Sequence, residues 1–397
     1  METKVLISGA GIAGPTLAYW LARYGMHPTI VEKASAIRTG GYLIDFFGVG
    51  FEIADRMGLL PEILGKGYRV QEVRVVNRKG RRVAGFSAET FARAAGGRYT
   101  SLPRGDLAAS IFCSVQGKVE TIFGNSITKI DQSPTSVHVT FENGPARDFD
   151  LVVGADGLHS RVRELVWGEE SQFEKYLGYK VAAFEAPGYK ARDELAYVMY
   201  TEVGQQVARF SMRGDRTMFL FIFKDESRDE GMESVQDQKA LLRKRFGPGG
   251  WECPKILDAL DASHDLYFDR MSQIRMDSRK GLWTHGRVTL VGDAASCVSL
   301  LAGQGSALAM VATYILAGEL HRSRGDYALA FQRYQELFGP FVLKKQQAAL
   351  RFAGYFAPGS KLSLFVRNQV MNLMNIPWIA DLVVRGDIAD KIAIPQY

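Results

Sequence analysis

The chain has 397 residues, 47% of them hydrophobic, which is enough apolar material for two hydrophobic cores. Its formal net charge of +6 is scattered along the chain, which argues against a nucleic-acid partner because no basic run is interleaved with aromatic residues. Three cysteines are too few for a disulfide framework, so we expect a cytoplasmic protein with two domains and a tail.

The N-terminal region predicts a βαβ unit. Residues 4–8 read as a short buried strand, and no basic segment followed by an apolar stretch precedes it, so we expect no signal peptide. Residues 15–24 predict a helix with Pro15 in its first turn, where a missing N–H costs nothing. Residues 27–31 predict the second strand.

A glycine motif, Gly9-Ala10-Gly11-Ile12-Ala13-Gly14, joins the first strand to the helix. Its glycines permit a tight turn, close approach of the backbone to a pyrophosphate, and close packing of the helix. Glu32 ends the second strand 18 residues after Gly14, where a carboxylate can accept hydrogen bonds from ribose hydroxyls. We predict a dinucleotide site at Gly9, Gly11, Ala13, Gly14, Glu32 and Lys33.

The middle of the chain predicts a second sheet. Residues 70–86 and 178–223 are rich in strand-forming residues and indicate a separate antiparallel sheet. Strand-turn segments at 151–156 and 288–293 return to the α/β pattern, so the nucleotide domain is discontinuous. We place this Rossmann-like α/β domain at 1–72, 96–170 and 276–326, the inserted antiparallel β-sheet substrate domain at 73–95 and 171–275, and C-terminal helices at 327–397.

The sequence offers no metal site and no protein nucleophile. The six histidines lack metal-ligand spacing, and no serine lies in a nucleophile-elbow pattern. We therefore expect no metal, and we expect a cofactor to carry the chemistry.

Two later segments decide which dinucleotide is bound. Residues 155–163 form a strand end that turns into a helix, and Gly292-Asp293-Ala294-Ala295 is followed by Leu301-Ala302-Gly303-Gln304-Gly305. With the glycine motif, and in this order, they resemble the para-hydroxybenzoate-hydroxylase-like FAD monooxygenases over roughly residues 1–340. The resemblance implies an FAD-binding domain.

The resemblance also assigns residues to the flavin. Asp293 is implied to hold the ribityl chain, and the backbone of Gly303, Gln304 and Gly305 to face the pyrimidine edge of the flavin. A helix that begins near Gly305 supports this, because its N–H groups and positive dipole end stabilise negative charge on reduced flavin. Arg104 resembles the arginine of the family's Arg-x-x-Leu element, with a surface arginine beside a helix cap as the alternative. Asp156 resembles the family's Asp-Gly segment, which is associated with both FAD and the reduced nicotinamide; the reading of Arg163 is similarly split.

Within this family, three stretches are most similar to the tetracycline-inactivating monooxygenases, the tetracycline destructases: residues 40–45, 299–310 and 314–320. The chain departs from the usual pattern, which has proline near residues 299–300 and often asparagine at Ala307. The likeness implies a monooxygenase that uses NADPH or NADH and O2 to form a flavin C4a-hydroperoxide and hydroxylates a polycyclic phenol or enol. Tetracycline is the first candidate substrate; a hydroxylase of aromatic polyketide biosynthesis and a flavin-binding protein without turnover are the alternatives.

Such chemistry requires an apolar pocket over the flavin, because water would break down the reactive intermediate. Alternation along the strands predicts that only one face of the second sheet lines it. The candidate lining residues are Tyr42, Met199, Phe210, Met212, Phe219 and Phe221.

The tail predicts two helices, at 327–352 and 361–384. The resemblance implies that the first bridges the domains and that the second lies near the active-site opening. For the apolar face of the second helix, packing onto the core and gating the site are both open. Membrane-surface binding is a third option with few basic residues to support it. No apolar run reaches the roughly 20 residues of a membrane span, and we expect a monomer.

Overall fold

A computed structural model describes residues 3–38, 40–94, 96–227, 234–276, 282–300, 303–383 and 392–397. Leu301 and Ala302 of the predicted flavin segment lie outside the described residues, as do residues 384–391 of the tail. The strands are β1 Lys4–Ser8, β2 His27–Glu32, β3 Leu43–Phe47, β4 Glu72–Val76, β5 Arg82–Ser87, β6 Tyr99–Pro103, β7 Glu120–Phe123, β8 Ile127–Gln132, β9 Val137–Phe141, β10 Arg147–Phe149, β11 Leu151–Gly154, β12 Glu174–Pro187, β13 Ala196–Glu202, β14 Gln205–Met212, β15 Arg216–Lys224, β16 Tyr267–Ile274, β17 Thr284–His285 and β18 Val288–Leu290. The helices are α1 Ala13–Arg23, α2 Val49–Arg56, α3 Leu60–Lys66, α4 Ala88–Ala94, α5 Arg104–Val115, α6 Arg161–Trp167, α7 Val235–Phe246, α8 Cys253–Ala262, α9 Asp293–Ser296, α10 Gly305–Arg322, α11 Tyr327–Phe356, α12 Lys361–Leu373 and α13 Pro377–Val383.

The first sheet is the Rossmann-like one, with the strand order β17-β18-β11-β1-β2-β7. Strands β18, β11, β1, β2 and β7 run parallel, and β17 is antiparallel to β18. Val5, Leu6 and Ile7 of β1 are fully buried, as expected of a parallel strand covered on both faces. The turns that follow β1, β11 and β18 lie at the carboxyl edge of this sheet, where ligands bind in doubly wound folds.

The second sheet has seven strands in the order β16-β12-β15-β14-β13-β4-β5. All of them come from residues 72–87 and 174–274. The predicted α/β fold class with an inserted sheet is therefore confirmed. One detail differs from a fully antiparallel sheet, since β4 and β13 pair in parallel. They come from separate segments of the chain, so no hairpin dictates their direction.

The two faces of the seven-stranded sheet have different coverings. Helices α7 and α8 pack on the outer face, where Phe184 and Phe246 belong to one core cluster. The opposite side, which we call the inner face, carries Met199, Ala208, Phe210, Met212, Met218, Leu220 and Ile222. Leu43 of β3, Leu300, Tyr355 of α11 and Met371 of α12 pack against the inner face. Any cavity between the two sheets is therefore bounded by the inner face.

The tail differs from the predicted pair of helices. α11 continues through Pro340 to residue 356, and the second segment is two helices, because Pro377 lacks an N–H and begins α13. α12 buries Arg367 and Met371, whereas its apolar face points outward, with Phe365 59% exposed. Met374 is the buried exception, so packing of this face onto the core is wrong for its exposed residues, and a gating role stays a prediction. No helix in the described ranges is long and apolar enough to cross a membrane.

Candidate active site

The glycine turn after β1 has no room for side chains. Gly9 has a φ of +108°, and a Cβ atom there would lie 2.5 Å from the carbonyl oxygen of Ala155. A Cβ atom at Gly14 would lie 1.9 Å from the carbonyl oxygen of Gly9. The start of α1 is thus pressed against the β1 turn, and Gly11 leaves the backbone open in between. This cradle fits the pyrophosphate of a dinucleotide such as FAD.

Glu32 lies beside this cradle with its orientation fixed. Its Oε2 atom accepts a hydrogen bond from the Ala10 N–H at 2.7 Å, and its Oε1 atom accepts one from the Ala34 N–H at 2.8 Å. Each carboxylate oxygen keeps a second lone pair, so the side chain remains able to accept bonds from ribose hydroxyls. Lys33, the next residue, is exposed. Contact of either residue with the adenosine half of FAD remains a prediction.

Asp293 lies in a turn held between two helices. Gly292 has a φ of +61°, and a Cβ atom there would lie 3.1 Å from the Cβ of Ala13 on α1. A Cβ atom at Gly305, the first residue of α10, would lie 3.8 Å from Asp293 Oδ1. Burial raises the pKa of Asp293, and the nearby Arg104 guanidinium opposes that rise. The carboxylate and the start of α10 are therefore adjacent, as the resemblance requires for a flavin.

The segment before α10 supplies backbone rather than side chains. Gly303 has a φ of +62° and donates its N–H to the Leu300 carbonyl at 2.9 Å. Gln304 is the N-cap residue of α10, but its side chain does not cap the first turn. The N–H groups of that turn are thus directed towards the side of Asp293, which suits a partly anionic flavin edge.

Arg104 belongs to this site rather than to the surface. It is the first residue of α5, and its backbone N–H bonds to the Tyr42 carbonyl at 3.0 Å. Its Nη2 atom is 3.8 Å from where a Cβ of Gly11 would lie. The guanidinium also lowers the pKa of Tyr42, against the larger effect of burial. The structure thus brings together the glycine turn, Arg104, Tyr42 and Asp293.

Asp156 and Arg163 form hydrogen bonds that hold the segments around the site in place. The Asp156 carboxylate accepts bonds from the Ser160 hydroxyl and, at 3.1 Å, from the Val162 N–H at the start of α6. Arg163 is fully buried and donates to the Ala294 carbonyl at 3.1 Å and to Glu170 at 2.7 Å. Arg163 therefore ties α6 to the Asp293 turn. Direct contact of Asp156 with FAD or nicotinamide stays a prediction.

The six predicted pocket residues divide between the faces of the seven-stranded sheet. Met199, Phe210 and Met212 lie on the inner face, and Tyr42 lies beside Arg104. Phe219 and Phe221 are a correction, since both pack on the outer face under α7 and α8. The alternation of side chains along a strand predicts two faces. Which face the helices cover is seen only in the structure.

Other aromatic residues at the site had no signal in the sequence. The ring centroid of Tyr267 on β16 lies 5.5 Å from that of Tyr42. Tyr197 on β13 packs with the inner-face clusters, as does Tyr355 on α11. These three residues come from distant segments, so only the tertiary structure shows that they lie near Tyr42 or the inner face.

A polar cluster joins the segment after β11 to β16 of the seven-stranded sheet. His159, just after β11, bonds to Glu170 through Nδ1 at 2.8 Å and approaches Asp269 of β16 through Nε2 at 3.5 Å. Asp269 and Glu170 together raise the pKa of His159 to about 10. The imidazolium is therefore the form that holds β16 against the Rossmann-like domain at neutral pH.

This cluster predicts a pH dependence of stability. The pKa of His159 is higher in the folded state than its ordinary value. The stability that its protonated form contributes is therefore fully present below about pH 6.5. It is lost as the pH rises through about 10. We expect the unfolding free energies of the wild type and His159→Gln to differ most near pH 6 and to converge near pH 10, as measured by urea titration. A difference that grew with pH would contradict this assignment.

A parallel sheet with a glycine turn, a glutamate at the end of its second strand and a half-buried aspartate at its carboxyl edge is typical of a dinucleotide-binding flavoprotein. The model of the family described as FAD binding domain matches residues 2–324. A flavin-dependent monooxygenase from an unknown prokaryotic organism is 38% identical over 395 residues, covering 99% of this chain and 98% of the relative. The chain therefore belongs to the class A FAD-dependent monooxygenases, and its cofactor is FAD.

Solved structures agree with this assignment. The tetracycline destructase Tet(51) has 32% sequence identity and a TM-score of 0.83, with full coverage of both chains. The tetracycline destructase Tet(55) has 31% identity and a TM-score of 0.83, covering 100% of this chain and 99% of the other. The likeness thus includes the C-terminal helices.

One departure from the family pattern has a structural reason. Ala307, where asparagine is frequent, is buried on α10 and faces Gly50 of α2. A Cβ atom at Gly50 would lie 2.6 Å from the Cβ of Ala307, so the two helices touch at this point. A larger side chain at 307 has no space unless α2 moves.

Proposed function

We propose that this FAD-dependent monooxygenase takes electrons from NADPH or NADH and hydroxylates tetracycline, thereby inactivating the drug. The observation that carries the proposal is the apolar inner face, against which Leu300 packs, in the segment between Asp293 and the start of α10. The similarity to tetracycline destructases over the full chain supports the choice of substrate. The domain boundaries given above belong to the same proposal.

Bound FAD supplies the activation of dioxygen. The residues of the chain hold the cofactor and shape its surroundings. The start of α10 and Arg104 place positive charge near the flavin, which favours its reduced, anionic form. Met199, Phe210 and Met212 exclude water from the space above it, so that oxygen transfer competes with release of peroxide.

The test is to mix the FAD-loaded protein with NADPH in air, with and without tetracycline, and to follow nicotinamide oxidation and the mass of the drug. We expect faster NADPH oxidation with tetracycline and a product heavier by one oxygen atom. NADH in parallel shows which nicotinamide is preferred, and an anaerobic sample is the control for oxygen dependence. An unchanged drug would contradict the proposed substrate and would direct screening towards other aromatic polyketides. Absence of NADPH oxidation with every compound would instead indicate a flavin-binding protein.

A further inference from the structure

An exposed acidic side chain on β3, Asp45, has an unusual set of partners. Asp45 of β3 pairs in register with Ser101 of β6. Its Oδ1 atom accepts hydrogen bonds from the Tyr99 hydroxyl at 2.7 Å and from the Ser101 hydroxyl at 2.6 Å. These two hydroxyls are 2.8 Å apart, so the three groups fix one another. One carboxylate oxygen is therefore held firmly in a single orientation.

The second oxygen of Asp45 is available to a ligand. Among the residues that the structure describes, none donates a hydrogen bond to Oδ2, and no cation pairs with the carboxylate. The nearest arginine in sequence to Tyr99, Arg98, pairs with Asp55 instead, at 3.2 Å. A carboxylate fixed by two neutral donors but lacking a cation provides an acceptor with uncompensated negative charge.

Asp45 lies on the side of β3 that is directed towards the inner face, where the substrate is proposed to bind. Leu43 lies two residues earlier on the same side of β3 and packs with Phe210 and Met212 of the inner face. On the inner face, burial raises the pKa of Tyr197, and the Asp45 carboxylate raises it further. The Asp45 side chain is thus near Tyr197, and Asp45 is three residues after Tyr42, whose carbonyl accepts the Arg104 N–H.

We propose that Asp45 forms a subsite for a protonated amine, so that the preferred substrate is a polycyclic phenol or enol that carries an amino group. This proposal rests on the proposed function and narrows its substrate class. Tetracycline has a dimethylamino group that is protonated at neutral pH, whereas many aromatic polyketides have no amine. A charge-assisted bond from an ammonium to the prepositioned Oδ2 favours the first kind of compound over the second.

Asp45→Asn tests the subsite in the full-length, FAD-loaded protein. Asparagine keeps the size of the side chain and an oxygen that accepts bonds from Tyr99 and Ser101, but it removes the charge. The probes are tetracycline and its analogue without the dimethylamino group, with affinity measured by calorimetry and turnover by NADPH oxidation. We expect the wild type to bind tetracycline more tightly than the analogue. We expect Asp45→Asn to weaken the binding of tetracycline, so that its Kd and its KM rise about 10- to 100-fold. Affinity for the analogue and kcat with either compound are expected to stay within about threefold of wild type, since only the charged contact is lost.

The matched control is Asp55→Asn, which removes an exposed carboxylate that pairs with Arg98. It is expected to change neither affinity, and unaltered FAD content and thermal unfolding show that both variants fold. The proposed subsite is wrong if Asp45→Asn weakens the binding of both compounds equally, or the binding of neither. If the wild type binds neither compound, the proposed substrate is wrong. In that case an amine-bearing and an amine-free anthraquinone phenol are compared instead. The subsite is supported if the wild type prefers the amine-bearing compound and Asp45→Asn loses this preference. It is overturned if the wild type shows no preference.

Discussion

Replacing Gly14 with alanine is expected to give a protein that no longer retains FAD through purification. The added Cβ atom would lie 1.9 Å from the Gly9 carbonyl oxygen and 3.3 Å from a methyl group of Ile7. The closest of these atoms is backbone, so either α1 moves away from β1 or the glycine turn opens. Both changes break the cradle for the pyrophosphate. The strain also lowers the free energy of unfolding by about 1–3 kcal/mol or more.

Flavin absorbance per mole of protein and urea unfolding measure the two effects. Gly65→Ala is the matched control, because Gly65 lies in α3 and an added Cβ there meets nothing within 4 Å. Alanine is the better helix former, so this control is expected to keep its FAD and to unfold at equal or slightly higher urea. Stoichiometric FAD in Gly14→Ala would show that the glycine turn does not bind the cofactor.

The parts of the fold that were predictable from sequence are those in which backbone geometry dictates the residue type. Gly14 is required by a contact within the turn itself and Gly9 by its positive φ, and a strand before and a helix after identify that turn locally. The turn at Gly292 and Asp293 is similar, since positive φ and close packing against α1 demand glycine. Positions of this kind can be recognised from a few adjacent residues of the sequence.

The substrate side of the molecule was less accessible to sequence reasoning. Phe219 and Phe221 were candidates for the pocket because they are large and apolar, yet α7 and α8 cover them. Asp45 ends the stretch 40–45 that resembles the destructases, but nothing local predicted its partners. Tyr99 and Ser101 follow more than 50 residues later and meet it only through the pairing of β3 with β6. Contacts between distant segments determine this half of the site, and no local pattern encodes them.

Replacing Arg163 with methionine is expected to cause the largest loss of stability among the substitutions considered. The guanidinium is fully buried, and it donates to the Ala294 carbonyl, to the Leu158 carbonyl at 2.6 Å and to Glu170 at 2.7 Å. Methionine fills the space but leaves two carbonyl groups and a carboxylate without this donor. Breaking a buried ion pair in this way costs about 3–5 kcal/mol of unfolding free energy.

The same substitution also tests how the flavin site is held. Since Ala294 follows Asp293 directly, loss of the Arg163 bond frees the turn that carries the ribityl-binding candidate, and we expect weaker FAD binding as well as lower stability. Arg161→Met is the control, because Arg161 lies on the same helix, is 45% exposed and, among the residues that the structure describes, pairs only with Glu164. An exposed pair of this kind contributes about 1 kcal/mol or less. Both variants are compared with the wild type by urea unfolding and by FAD titration. If Arg163→Met unfolds like Arg161→Met and binds FAD like the wild type, the buried arginine does not support the Asp293 turn.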